Sequence, residues 1–239
     1  MPLNEILEKA QHLKQTNQSL LAIFDLDSTI FDVSPRTQKI LEDFKNDPTI
    51  QKKYPSQVEQ MKDLAVKNTD WGIKESFSRA QILGTVDFFD EARKYWALHF
   101  FSNHYLIYDK PYDGAVDFLN KLSSFGAKIV YLTGRDVKRM GEGTKKSLLD
   151  HGLPLKHDND LILKPFKGMS DSLFKKEVID ELKNDHEEIW FFENEPVNTK
   201  IVEEHHQDVR IVFFDSVHSG REKTPTHHMT IQHFLLHKS

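Results

Sequence analysis

Two carboxylates one residue apart, Asp25 and Asp27, stand directly behind the apolar run Leu20-Leu21-Ala22-Ile23-Phe24. A hydrophobic strand that ends in unpaired carboxylates is costly to fold. The cost is offset when a divalent cation sits between the carboxylates and a phosphate. In that chemistry Asp25 can attack phosphorus and hold it as an aspartyl-phosphate. Asp27 can protonate the leaving oxygen and later deprotonate the attacking water. The Asp27 carbonyl is available to a cation, and the Thr29 hydroxyl could tie the loop. A plain strand followed by an Asx-type turn would use the same residue types.

Other strand ends carry groups that complement these. Ile129-Val130-Tyr131-Leu132 runs into Thr133-Gly134-Arg135-Asp136. A hydroxyl at a strand end, Thr133, followed by Gly134, whose small size lets backbone N–H groups approach, makes a place for a phosphoryl oxygen. The bland alternative is a strand-to-loop turn in which Thr133 caps backbone. Arg135 is either a phosphate-side ligand or, the preferred reading, a structural ion-pair partner. Lys164, Lys167, Lys175 and Lys176 compete to supply a cation. On the helix predicted after Ser172, apolar Phe174, Val178, Ile179 and Leu182 fill an arc of about 140°. Lys175 falls inside that arc and Lys176 points away from it. A lysine turned toward the core keeps its charge only beside a carboxylate or phosphate, so Lys175 is preferred and Lys164 is next. The alternative is a stem that snorkels along the helix edge. Ile189–Phe192 then runs straight into Glu193-Asn194-Glu195-Pro196. Glu193 would complete, with Asp25 and the Asp27 carbonyl, an oxygen set suited to Mg²⁺. Asn194, Glu195 or Asn198 could orient a ligand water. The same stretch also reads as a helix start with Pro196 in its first turn.

The elements that must position these groups follow from hydrophobic pattern. Strands are predicted at Leu20–Phe24, Lys128–Leu132, Asp160–Leu163, Glu188–Phe192 and Val209–Phe214. Amphipathic helices are predicted at Gly114–Ser123, Gly143–His151, Ser172–Leu182 and Val197–Glu204. Such alternation implies an α/β fold, a parallel sheet with helices on both faces. Polar residues behind the strands then gather along one edge, where such sheets bind ligands. From Val33 to Tyr108 no good strand appears. Helices are predicted there at Arg36–Phe44, Pro55–Val66, Trp71–Ile82 and Val86–Tyr105. The expected organisation is a core of residues 1–32 and 109–239, with a helical insertion at 33–108. A short closing helix is predicted around Ile231–His237.

In chain order, these motifs resemble the haloacid dehalogenase superfamily of phosphohydrolases. The resemblance covers Leu20–Asp32 and Pro111–Asp215; the insertion matches only in position and helical character. It implies a Rossmann-like parallel sheet with the nucleophile strand at its centre and a helical cap inserted just after it. It further implies Asp25 as nucleophile, Asp27 as acid/base, Thr133 as phosphate-binding hydroxyl, Lys175 as the third-motif lysine and Glu193 as a metal carboxylate for Mg²⁺. Glu193 stands where Asp is commoner, and no second Asp follows a few residues later. Asp27 favours phosphate chemistry over that of the dehalogenases, which have no proton to deliver to a phosphate leaving group.

Composition narrows the partners. A length of 239 residues suits one large domain or a domain with an insertion. There are 32 basic and 37 acidic residues, a net charge of −5, and no basic stripe, which argues against an extended nucleic-acid partner. The absence of Cys excludes disulfides, thiolate metal sites and cysteine nucleophiles. With no signal-like start and no apolar run near the ~20 residues that span a bilayer, no membrane partner and a cytoplasmic setting are expected. His205-His206 and His227-His228 suggest metal at a glance, but neither has a carboxylate at matching spacing, and solvated surface is the better reading. His218 and Arg221 follow the last predicted strand; either could contact substrate, but a polar surface loop is the better reading. Phe88, Phe89, Tyr95, Trp96, Phe100, Phe101 and Tyr105 read as the cap's own core, with one or two facing substrate. The expectation is a Mg²⁺-dependent phosphatase acting on a small phosphorylated metabolite. A phosphoryl transferase or mutase built on the same residues, a polynucleotide end phosphatase and a non-catalytic phosphate-binding module are the rivals.

Overall fold

Leu20–Phe24 is buried at every position, because its strand is flanked by others on both edges and covered by helices on both faces. The structure is a computed structural model that describes residues 2–236. In chain order the elements are α1 (Pro2–Gln15), β1 (Leu20–Phe24), β2 (Phe31–Asp32), α2 (Ser34–Asn46), α3 (Pro48–Lys53), α4 (Pro55–Gln60), α5 (Ile73–Arg79) and α6 (Val86–Phe100). A 3₁₀ turn at Asn103–Tyr108 leads into β3 (Lys110–Pro111), α7 (Ala115–Ser124), β4 (Lys128–Asp136), α8 (Val137–Asp150) and β5 (Leu161–Lys164). Then come α9 (Asp171–Leu182), β6 (Glu188–Glu193), α10 (Pro196–His205), β7 (Val209–Phe214) and β8 (Met229–Ile231).

Six strands form one sheet in the order β5-β4-β1-β6-β7-β8, and every pairing in it is parallel. Alternate side chains divide between two cores. Ala22, Phe24, Tyr131, Phe192 and Phe214 pack with α1 and α7 on one face. Leu21, Ile23, Val130, Phe191 and Ile211 pack with α9 and α10 on the other. With both faces buried, strands read as continuous apolar runs, which is why the principal ones were legible. β1 lies between β4 and β6, so the ends of these strands converge.

The helices α2 to α6 enclose a separate apolar cluster that includes Leu41, Phe44, Ile50, Phe77 and Phe88. The chain leaves the core and returns to it through a short antiparallel pair, with Phe31 opposite Pro111 and Asp32 opposite Lys110. Neither that pair nor α1 was foreseen. The helix expected at Pro55–Val66 ends at Gln60, with a separate α3 before it. Asp47 caps α3 through the backbone N–H groups of Thr49 and Ile50, and Pro48 and Pro55 each open a new helix. Trp71–Ile82 contracts to α5, and α6 stops at Phe100.

β4 runs on to Asp136, with an irregular register against β5 between Thr133 and Asp136. Asp136 then caps α8 by accepting from the Arg139 N–H, so that helix begins six residues before the expected Gly143. The closing helix at 231–237 is corrected: among the described residues, Met229–Ile231 is a strand alongside β7 and the residues after it are irregular. The apolar spacing that suggested a helix instead sends Phe234 into the core, stacked on Phe214 and Phe118. Residue 237 lies outside the described part. No helix among the described residues is long and apolar enough to cross a membrane.

Candidate active site

The strand ladder continues one residue past β1, where the Asp25 N–H donates to the Phe192 carbonyl at 3.0 Å. The chain then turns sharply. Ser28 takes a left-handed conformation at φ 62°, and its N–H donates to the Phe31 carbonyl at 2.8 Å. This turn presents Asp25 and Asp27 to one cavity of about 300 Å³ at the carboxyl edge of the sheet. Thr133, Gly134, Lys175 and Glu193 line the same cavity. Trp71, Trp96, Phe100 and Phe101 of the helical insertion close it from the opposite side.

Around Asp25 the negative charge exceeds the positive. Lys175 Nζ donates to Asp25 Oδ1 and to Glu193 Oε2, both at 2.6 Å. The Thr29 hydroxyl lies 3.3 Å from Asp25 Oδ2 and 3.1 Å from Asn194 Oδ1. Burial pushes the Asp25 carboxyl up to about 7, and the neighbouring Glu193 adds to this while Lys175 opposes it. Burial works against the Lys175 ammonium, but Asp25 and Glu193 together hold it above the ordinary lysine range. One ammonium therefore serves two buried carboxylates, and a divalent cation beside Asp25 would supply the missing charge.

The donor set fits such an ion with one adjustment. Glu193 Oε1 accepts the backbone N–H groups of Asn194 at 3.0 Å and Glu195 at 2.9 Å, while Oε2 accepts Lys175 and the Asn198 amide at 3.1 Å. All the lone-pair positions of that carboxylate are occupied. In this arrangement no Glu193 oxygen is left free for a direct cation contact, the role expected of it from the sequence.

Asp27 meets the opposite surroundings. Its Oδ1 accepts from Arg36 Nη2 and from Arg135 Nη2, each at 2.6 Å, and its Oδ2 from Arg135 Nε at 3.3 Å. Both guanidiniums also reach Asp109: Arg36 at 2.7 Å to each oxygen, and Arg135 at 2.8 Å to Oδ2. Arg36 lies over the Phe100 ring at 4.2 Å and donates to the Phe100 carbonyl at 3.2 Å. Burial would raise the Asp27 carboxyl, but Arg135 and Arg36 outweigh it and hold the group well below the usual carboxylate range. Burial raises Asp109 despite the same arginines. Two guanidiniums and two carboxylates thus form a charge-balanced clamp, tying the core residues Asp27 and Arg135 to Arg36 at the start of the insertion.

Arg135 is therefore an ion-pair partner, and the expectation of a phosphate-side ligand is corrected: its guanidinium is committed to Asp27, Asp109 and the Thr144 hydroxyl. The competing lysine is also settled, since Lys164 bonds Asp171 and the Met169 carbonyl while Lys175 meets the acids. Thr133 is buried within β4, where the register against β5 becomes irregular, and its hydroxyl accepts the Arg135 N–H at 3.3 Å. A Cβ on Gly134 would come within 2.8 Å of an Asp171 carboxylate oxygen, so a larger residue there would require the Asp171 side chain to move. Asn194 and Glu195 hold the loop after β7: Asn194 donates to the Val217 carbonyl at 2.7 Å, and Glu195 accepts the Ser219 N–H at 3.0 Å and hydroxyl at 2.7 Å. Arg221 of that loop lines the cavity, whereas His218 does not.

Arg36 and Asp109 were missed. Arg36 shares a helix face with Ile40 and Phe44, both buried, and a charged residue on an apolar stripe is a signal that could have found it. Asp109 carries no comparable mark.

Residues 20–200 match the sequence family of haloacid dehalogenase-like hydrolases. The chain belongs to that family. Among curated proteins no match to the sequence reaches significance. Of solved structures, Protein Tyrosine Kinase A of Mycobacterium tuberculosis aligns with a TM-score of 0.56 at 16% identity, over 89% of this chain and 93% of that one. The HAD-hydrolase YfnB of Bacillus subtilis, solved bound to magnesium, gives 0.52 at 15% identity over 90% and 95%. A haloacid dehalogenase-like hydrolase of Burkholderia xenovorans gives 0.51 at 13% identity over 91% and 94%. At these identities the likeness is one of fold. In this haloacid dehalogenase-like hydrolase the parallel sheet with helices on both faces is the family's α/β core.

Proposed function

We propose that this hydrolase is a Mg²⁺-dependent phosphatase that cleaves a small phosphomonoester through an aspartyl-phosphate on Asp25. The observation that carries the proposal is the union of Asp25, Lys175 and Thr133 in one cavity at the sheet edge, with Asp27 facing the same space. Mg²⁺ bound beside Asp25 and the Asp27 carbonyl would supply positive charge to the phosphoryl oxygens and to the attacking carboxylate.

In the first step an Asp25 oxygen forms a bond to phosphorus while the bond to the leaving oxygen breaks. Lys175 holds Asp25 in place and shares its charge; Thr133 and the backbone after it receive a phosphoryl oxygen. In the second step water attacks phosphorus, the bond to Asp25 breaks and Asp27 accepts the water proton. Clamped by two guanidiniums, Asp27 rests as the carboxylate this second step needs. To protonate an alkoxide in the first step it must first take up a proton from solvent, or keep the one it took from water in the preceding turnover. It can hold that proton only by loosening from an arginine, to which incoming phosphate oxygens offer an alternative partner.

The aromatic wall of Trp71, Trp96, Phe100 and Phe101 would face the leaving group and exclude water when the insertion is closed over it. A small phosphorylated metabolite, without a membrane or an extended nucleic acid, is the partner this cavity suits. A cytoplasmic setting is part of the same reading.

The test is hydrolysis of p-nitrophenyl phosphate with and without Mg²⁺. Asp25→Ala should abolish turnover, and Asp27→Asn should reduce it by about 10²–10⁴-fold, the usual worth of a positioned acid or base. Chelation of Mg²⁺ should silence the wild-type chain. An Asp25→Ala variant as active as the parent would end the proposal.

A further inference from the structure

Far along the sheet from Asp25, folding assembles a donor set that sequence spacing concealed. Glu203, in the last turn of α10, meets His227 and His228 just ahead of β8. His227 Nε2 lies 2.6 Å from Glu203 Oε1, and His228 Nε2 lies 3.6 Å from Glu203 Oε2. One ligand atom from each residue falls within 4.8 Å of the others. The two imidazoles are held against each other with ring centroids 4.1 Å apart. His228 Nε2 is buried and has no hydrogen-bond partner among the described residues, an unusual state for a buried ring nitrogen. A second contact docks the same two segments, as Lys200 one turn earlier on α10 bonds Glu222 at 2.9 Å.

We propose that Glu203, His227 and His228 form a second cation site, separate from the phosphatase cavity and selective for a zinc-class ion. Two imidazole nitrogens with one carboxylate oxygen are a set that such ions take at ~2.0–2.2 Å, in tetrahedral geometry with a fourth position open. Tetrahedral ligands at that radius stand roughly 3.3–3.5 Å apart, so the separations above need only small side-chain rotations. Mg²⁺, which prefers all-oxygen octahedral surroundings, is a poor occupant. His227 is more than half exposed and Glu203 nearly so, which leaves an entry path from solvent.

The fold gives this site a consequence. Glu203 sits at one end of α10, and the residues just ahead of that helix's other end, Asn194 and Glu195, hold the loop that brings Val217 and Arg221 to the cavity. His227 and His228 close the far end of that same loop. An ion bound here staples the loop to α10 at a second point, so it stabilises the folded chain and restrains one rim of the cavity.

The test titrates the full chain, held in excess Mg²⁺, with Zn²⁺ by calorimetry and with Co²⁺ by its visible d–d absorption. About one equivalent should bind, and Glu203→Gln, His227→Ala and His228→Ala should each weaken it by about tenfold or more. Zn²⁺ should raise the thermal midpoint of the wild-type chain but not of the His227→Ala/His228→Ala double variant. Mg²⁺-dependent hydrolysis measured without Zn²⁺ should be the same in all of them, which also shows that the variants fold. Zn²⁺ affinity unchanged by the three substitutions would overturn the proposal. So would binding lost only in Asp25→Asn, because the ion would then be occupying the phosphatase cavity. Neither result bears on the Asp25 chemistry.

Discussion

Asp25 and Asp27 leave the same strand end and face the same cavity, yet one sits in a region short of positive charge and the other in a region that balances it. The floor around Asp25 offers one ammonium to two buried carboxylates, and the Asp25 carboxyl rises to about 7. The clamp around Asp27 offers two guanidiniums to two carboxylates, and the Asp27 carboxyl falls. Under the proposed chemistry, identical side chains thereby become different reagents: one would take a cation and a phosphate, while the other rests ionised and would accept a proton. Environment, rather than residue type, divides the labour.

The sharpest way to break the contrast is to remove one arm of the clamp. Arg36→Met leaves Asp109 buried beside a single guanidinium and takes one of two from Asp27. Breaking a buried charge set in this way costs about 3–5 kcal/mol, readable as a lower urea midpoint. The pH dependence has a definite sign. The folded value of Asp27 lies below its unfolded value of 3.8, so its contribution is present above 3.8 and is lost only as pH falls through the folded value. In Arg36→Met that folded value moves up, and the acid limb of the kcat profile, which includes the step in which Asp27 accepts the water proton, should move up with it. A variant with the parent's urea midpoint and the parent's acid limb would show that the clamp does not set Asp27's charge.

The floor was legible in the sequence and the clamp was not, for a physical reason. Each floor residue sits where a local pattern ends: Asp25 and Glu193 close apolar strands, Thr133 interrupts one, and Lys175 breaks the apolar arc of α9. The parallel sheet then converts these separate endings into one place. The clamp depends on pairings across the chain, with Arg36 and Asp109 separated by 73 positions, and no local pattern records which arginine meets which acid. Glu203 was hidden from His227 and His228 in the same way. Element boundaries failed where chemistry outside the hydrophobic period took over. Asp47 and Pro48 opened a short helix that had not been expected, Asp136 started one early, and Phe234 anchored a tail whose apolar spacing had suggested a turn of helix.

The floor can be probed through its missing charge. In metal-free protein the raised Asp25 value means that its contribution to stability is full below 3.8 and is lost as pH rises through about 7. Mg²⁺ competes with the proton at that carboxylate, so its stabilising effect should grow over the same window. Thermal midpoints with and without Mg²⁺ should differ little at about pH 5 and by several degrees at about pH 8, at about 2–4 °C for each kcal/mol of added stability. A Mg²⁺ increment that is flat or that shrinks with rising pH would mean the floor is not short of positive charge.

The smallest effect is expected on the wall opposite both regions. Trp71 lines the cavity yet is 49% exposed, and it lies outside the apolar cluster of the insertion. Trp71→Ala should therefore leave folding nearly unchanged while removing apolar surface from the side that faces the leaving group. If that surface binds substrate and transition state alike, KM for an aryl phosphate should rise about 3–10-fold with kcat within about twofold. Acetyl phosphate, which presents almost nothing to the wall, should show little change in either constant. A fall in kcat that is equal for both substrates would mean that Trp71 acts on the reacting groups themselves, through closure of the insertion over Asp25 and Asp27, and the wall would then belong with the catalytic regions it covers.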